Sequence, residues 1–176
     1  MRAVNLFNDP VFIEEIKLED KTMLEHLPTL RKINKMGFLS LDSQAGRTFK
    51  SKNYKTGEKY REEQRAYLIG MMEINKAVSF VRRMSMDTDK IAVPVTANPT
   101  HSRQFNIPLT INIMNHKVEV RTSTPLTLPE LSLNRYKEEL QLNQNENVVC
   151  ILCWDPIWNR SVSDDDGLFE DVLDCL

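Results

Sequence analysis

One short segment limits the fold more than any other. In "NVVCILCWD", Asn147 to Asp155, every residue from Val148 to Trp154 is apolar, and the run closes on a carboxylate. A strand with no polar side has no face to show to water, so it lies inside a sheet with both faces covered. Side chains alternate along a strand, so Cys150 and Cys153, three residues apart, point to opposite faces. This divergence argues against half a zinc site or a redox pair. A redox Cys-x-x-Cys sits at a helix N-terminus, whereas this one lies mid-strand. The sequence holds no second cysteine pair and no histidine near this one.

Other elements are expected around that strand. Asn8-Asp9-Pro10 reads as a turn in an irregular N-terminal segment. Leu24, Leu27, Leu30, Ile33 and Met36 follow the spacing of one buried helical stripe. Pro28 is expected to kink that helix or start a second one, and Gly37 to end it. Phe38–Leu41 reads as a short buried strand, and Gln64–Met72 as strand-like in its middle. Ile74, Ala77, Val78, Val81 and Met84 predict a second helical stripe. Ile91–Val95 reads as a strand, and Pro94, which cannot donate to a ladder, places it at an edge or bulge.

In "PLTINIMNHKVEVRTS", Leu109, Ile111 and Ile113 and then Val118 and Val120 alternate with polar residues, which predicts a β-hairpin with one face buried. A further helix has Pro129 in its first turn and Leu133, Tyr136 and Leu140 on one face. Together these predict an α+β domain, with about three helices on a mostly antiparallel or mixed sheet of five to six strands. Residues 1–162 form the expected single globular domain and residues 163–176 an acidic amphipathic tail.

Composition narrows the class. A chain of 176 residues, 41% hydrophobic and 27% charged, can bury a core without metals or disulfides. No apolar run approaches a membrane span of about 18 residues. The N-terminus carries no secretory apolar block. Three cysteines, an odd number, point to a reducing, intracellular compartment, the cytoplasm or a host cytoplasm. The net charge of −2 conceals an uneven distribution. Arg47 to Arg61 holds six basic residues and one acid, while the last fourteen residues hold six acids and no base. Such asymmetry suggests a partner or an internal pairing.

Three places carry candidate chemistry. Asp42-Ser43-Gln44, followed by Gly46, reads either as an Asx-type turn or as a ligand-contacting loop at the end of a strand. It is not a nucleophile elbow, because Gly-x-Ser-x-Gly is absent. Arg65 and Tyr67 share one face at period two, and Asp42 is expected to pair with Arg65 across neighbouring strands. Between these, a loop interleaves Phe49, Tyr54 and Tyr60 with Lys50, Lys52, Lys55 and Lys59. Lysines bind phosphate as point charges and aromatics offer stacking faces, so the loop suits a phosphate-bearing ligand or nucleic acid; the bland reading is a solvated loop.

The acidic tail places Leu168, Phe169, Val172, Leu173 and Leu176 on one helical face, fit to dock on the parent domain or in another protein's groove. His26, His101 and His116 are scattered, and the sequence has no P-loop or Gly-x-Gly-x-x-Gly turn, so no cofactor or metal is expected.

The combination "LDSQAG … EEQRAYLIGMM" resembles a pattern of a poorly characterised family found in large DNA viruses of protists and in some actinobacteria. There, Asp-Ser-Gln-x-Gly after a strand is followed by a Gln/Glu-Arg-Ala-Tyr strand. The resemblance covers Gly37 to Met72, about a fifth of the chain. It implies a viral origin, no established activity, and a joint role for Asp42, Gln44, Arg65 and Tyr67. Three functional expectations follow. The first is a non-enzymatic interaction protein using the basic loop and the acidic tail. The second is a small enzyme or sensor for a nucleotide or phosphate ligand at an Asp42/Arg65 cluster. The third is a virion structural component.

Overall fold

The computed structural model describes residues 13, 23–52, 55–95, 107–114, 117–123, 130–143, 146–158, 160 and 167–176. These form an α+β domain of eight strands and four helices. The strands make two four-stranded antiparallel sheets in place of the expected single sheet of five to six.

Helix α1 (Met23–Lys35) buries Leu27, Leu30 and Ile33, as its spacing predicts, and Met36 just beyond it is 48% exposed. Pro28 sits on the exposed side and the helix runs on through it, so the expected second helix start is absent here. Gly37, at φ +101°, makes the turn that ends it. Asn34 seals the corner. Its amide donates to the Leu30 carbonyl (2.7 Å) and the Ser40 hydroxyl (2.9 Å), and its carbonyl accepts from Ser40 N (3.1 Å).

The first sheet has the order β1 (Leu39–Gln44), β4 (Tyr67–Glu73), β8 (Val148–Trp154), β5 (Ile91–Val95). The apolar run is therefore an inner strand, and Pro94 lies in an edge strand where its missing donor costs little. Both faces of this sheet are covered. One packs Leu68, Met72, Ile151 and Cys153 against α1, α2 (Ile74–Asp87) and α4 (Leu168–Cys175). The other packs Leu39, Ile69, Met71, Cys150, Leu152 and Trp154 with Leu109 and with Tyr136 and Leu140, which belong to α3 (Glu130–Glu139) and its exit. Cys150 and Cys153 fall in opposite cores, as their spacing requires.

On α2 the buried residues are Ala77, Phe80 and Met84. Ile74 and Val78, both expected on the stripe, are 42% and 70% exposed, because Phe80 is the larger apolar group and sets the buried side. Glu73 starts the helix by accepting from Asn75 N (2.8 Å) and Lys76 N (3.0 Å). Helix α4 buries Leu168, Phe169, Val172 and Cys175 in the first core, with the Phe169 ring edge-on to His26 at 5.7 Å. Its apolar side is therefore taken up by the parent domain, and the helical end of the tail belongs to the same core as residues 23–153. Asp164–Asp166 of that tail, the side chain of Leu133, and the Asn8-Asp9-Pro10 turn lie outside the described residues.

The second sheet has the order β2 (Arg47–Lys52), β3 (Lys59–Gln64), β6 (Ile107–Met114), β7 (Lys117–Ser123). The segment expected to be a basic loop is thus a β-hairpin. It continues β1 and β4: Gln44 faces Tyr67 and, with no slip in register, Arg47 faces Gln64. One ribbon runs from the core sheet into the second sheet, with Ala45-Gly46 opposite Arg65-Ala66 at the crossing. The residues there are small because the neighbours are close. Ala45 and Ala66 are 3% and 1% exposed, and a Cβ on Gly46 would collide with the Arg160 carbonyl. At the crossing the backbone bonds turn outward. Arg65 N donates to the Leu109 carbonyl (2.9 Å), and Asp155 N to the Ala66 carbonyl (2.9 Å). The polar residues after Leu41 therefore stay in a strand, and the expected turn at Asp42-Ser43-Gln44 is absent.

Candidate binding surface

The crossing holds the first group of expected site residues. The Tyr67 hydroxyl donates to Asp42 Oδ2 (3.1 Å). Burial first, and the Asp42 carboxylate second, push the Tyr67 pKa well above the ordinary phenol range. Ser43 and Gln44 are half-buried strand residues opposite Leu68 and Tyr67. The expected Asp42–Arg65 pair does not form, and register explains why. Asp42 faces Ile69, four residues from Arg65, which is about 13 Å along the ladder. Arg65 instead stacks on the Trp158 ring at 4.1 Å and donates to the Pro108 carbonyl (3.3 Å). Burial lowers its pKa, with Asp155 acting in the opposite direction.

Behind the crossing lies an ionic cluster that gave no sequence signal. Lys90, 3% exposed, is bonded to Asp89 and to Asp171 (2.9 Å), with Asp155 at 4.0 Å. Arg160 grips Asp155 with two bonds (2.6 and 2.8 Å) and reaches Asp89 (2.7 Å). Asp155 Oδ1 also accepts from Ile157 N at 2.8 Å. Burial alone would lower the Lys90 pKa, but its bonds to Asp89 and Asp171 raise it. These groups are paired with one another and tie the α2–β5 turn, the β8 exit and α4 together. A lysine beside an aspartate at a strand entry reads as surface, and only the fold brings Asp155 and Asp171 to it.

The three thiols are buried. Burial pushes Cys150 up to about 11 and Cys153 higher, so at neutral pH neither is a thiolate nucleophile. Among the described residues, no group of three or more His, Cys, Asp or Glu is placed to hold a metal ion, and no helix is long and apolar enough to cross a membrane. Tyr54, His101 and His116 lie outside the described residues.

The second sheet carries the remaining candidates. Alternation puts Lys50, Lys52, Lys59 and Arg61 on one face and Phe49 and Tyr60 on the other. The aromatics and lysines of the two strands, which interleave in sequence, are thus separated by the thickness of the sheet, while Arg47 shares the aromatic face. Phe49 and Tyr60 meet each other, rings 6.1 Å apart, and Phe49 is 47% exposed. On the cationic face Lys50 is directly opposite Arg61, and Lys52 opposite Lys59. Lys55 is exposed in the turn between them. Arg61 is offset by Glu63 at 2.5 Å. Among the described residues, no carboxylate pairs with Lys50, Lys52 or Lys59.

The row through Lys50 and Arg61 continues to Ile113 and Val118, and the next row runs Thr48, Glu63, Ile111, Val120. Of the face expected to be buried, Leu109 lies in the core and Ile111 and Ile113 are half-buried, while Val118 and Val120 are 62% and 49% exposed. One surface therefore grades from cations on β2 and β3 to aliphatic side chains on β6 and β7.

No family model matches the chain, and no curated protein matches it at a significant level.

Proposed function

We propose that this chain is a non-catalytic binding protein that takes an anionic partner on the cationic end of the β2–β3–β6–β7 sheet. One observation carries the reading. Two successive cross-strand pairs, Lys50–Arg61 and Lys52–Lys59, place like charges directly opposite each other. Each such pair opposes hairpin formation by a few tenths of a kcal/mol to about 1 kcal/mol, and by less at Lys50–Arg61, where Glu63 offsets Arg61. A feature that costs stability and projects from the core is best explained by what it meets. The Asp42/Arg65 ligand site loses its basis, because those side chains have separate partners.

The test is fluorescence polarisation with labelled poly-glutamate and with a single-stranded oligothymidylate, from about 50 to 200 mM salt. The reading expects salt-sensitive binding of at least one polyanion, weakened about tenfold or more in K50A/K52A/K59A. Binding to neither probe, or equal binding by both proteins, would remove it.

A further inference from the structure

Resting on that reading, we infer that the partner is an acidic amphipathic helix of another protein, laid along the strands of the second sheet. Its aliphatic stripe would sit on β6 and β7 and its acidic flank over β2 and β3. Three observations support this choice. First, the cations share their face with Ile111, Ile113, Val118 and Val120, not with Phe49 and Tyr60. A single-stranded nucleic acid gains affinity by stacking bases on aromatics near its phosphate contacts, and here those aromatics face away from Lys50, Lys52, Lys59 and Arg61, with only the half-buried Arg47 of the two strands on their side.

Second, the cationic and aliphatic groups form two lateral halves. Four strands spaced about 4.8 Å apart give a surface about 14 Å wide. A helix about 10–12 Å across presents two adjacent stripes along its length, and its width matches this surface. An extended peptide running with the strands would alternate its side chains up and down, and would not show acids on one flank and aliphatics on the other. Third, Val118 lies in the cross-strand row of Lys50 and Arg61, and Val120 in the adjoining row of Thr48 and Glu63. A helix that neutralises the lysines therefore covers the valines as well. Strands of about six residues offer about 20 Å of length, enough for about 13 helical residues.

The experiment uses two labelled helical peptides with identical glutamates. One carries a leucine stripe, and the other has glutamine at the stripe positions. Binding is compared for the full chain, for V118T/V120T, and for K50A/K52A/K59A. Threonine keeps the shape and strand preference of valine at these exposed positions, and far-UV circular dichroism checks that the variants are folded.

The inference expects the leucine-stripe peptide to bind about tenfold tighter than its partner, with that preference lost in V118T/V120T. Both peptides should weaken in the lysine variant. Equal affinity for the two peptides, with both still dependent on the lysines, overturns the helix and leaves the anion-binding reading standing. An oligothymidylate that binds more tightly than the leucine-stripe peptide also overturns it, and places nucleic acid on the surface. Binding of no anion at all overturns both readings.

Discussion

Replacing Lys90 with methionine should destabilise the domain severely. The side chain is fully buried, bonded to Asp89 and Asp171 and 4.0 Å from Asp155, itself 1% exposed. Methionine fills much the same volume, so the loss is electrostatic and not a cavity. Removing one member of a buried ionic group costs about 3–5 kcal/mol; here Asp171 loses its cation and Asp155 and Asp89 keep only Arg160. Domains of this size have about 5–15 kcal/mol of stability in all. At about 2–4 °C per kcal/mol, the melting temperature should fall by roughly 6–20 °C. Asp171→Asn removes one charged hydrogen bond and should cost less, about 1–3 kcal/mol. Because the two groups touch, K90M/D171N should be less destabilised than the sum of the singles by about 1–3 kcal/mol. Urea denaturation of the four proteins measures all of this. A K90M protein within about 0.5 kcal/mol of wild type, or strict additivity in the cycle, would refute the view that this cluster holds α4 to the core.

Two further outcomes follow from packing and titration. In Gly70→Ala the new Cβ would overlap the Phe38 ring and approach the Leu39 carbonyl oxygen to 2.7 Å. A loss of about 1–3 kcal/mol or more in chemical denaturation is expected, and an unchanged midpoint would contradict the packing described for β4. Cys150, Cys153, Tyr67 and Lys90 all have folded-state pKa values above their ordinary ones, chiefly through burial for the thiols and Tyr67 and through its carboxylate bonds for Lys90. A raised pKa contributes stability that is complete below the unfolded value and is lost as pH climbs through the folded one. The urea midpoint should therefore decline from about pH 8.5, the ordinary thiol range, through the Cys150 value of about 11, and less steeply in Cys150→Ala. A flat profile would contradict it.

Much of the core was legible because hydrophobic pattern decides it. The run Val148–Trp154 could only be an inner strand, Pro94 marked an edge, and Gly37 marked a helix end. The second sheet was not legible, because β2 and β3 read "RTFKSK" and "KYREEQ" and have no apolar alternation to announce them. They are strands because they extend the register of β1 and β4 beyond the crossing. The same blindness mispaired Asp42. Its real partner, the Tyr67 hydroxyl, depends on a one-residue bulge between Ser40 and Asp42 that shifts the register. Lysines and aromatics one residue apart look mixed in a sequence and are sorted to opposite faces by a strand, so the composition of the basic segment was informative and its interleaving was not.

Charge reversal at the sheet face gives the most direct test of the binding surface. K50E/K52E/K59E should abolish salt-sensitive binding of poly-glutamate and of the leucine-stripe peptide, and should fold at least as well as wild type, since two like-charge contacts with Arg61 and across the hairpin tip are relieved or left unchanged in kind. K32E/K35E, at the exposed end of α1, serves as a control of equal basic charge per site and should leave binding within about twofold of wild type. If K50E/K52E/K59E, folded by circular dichroism, binds these anions as tightly as the control does, the second sheet is not the contact surface.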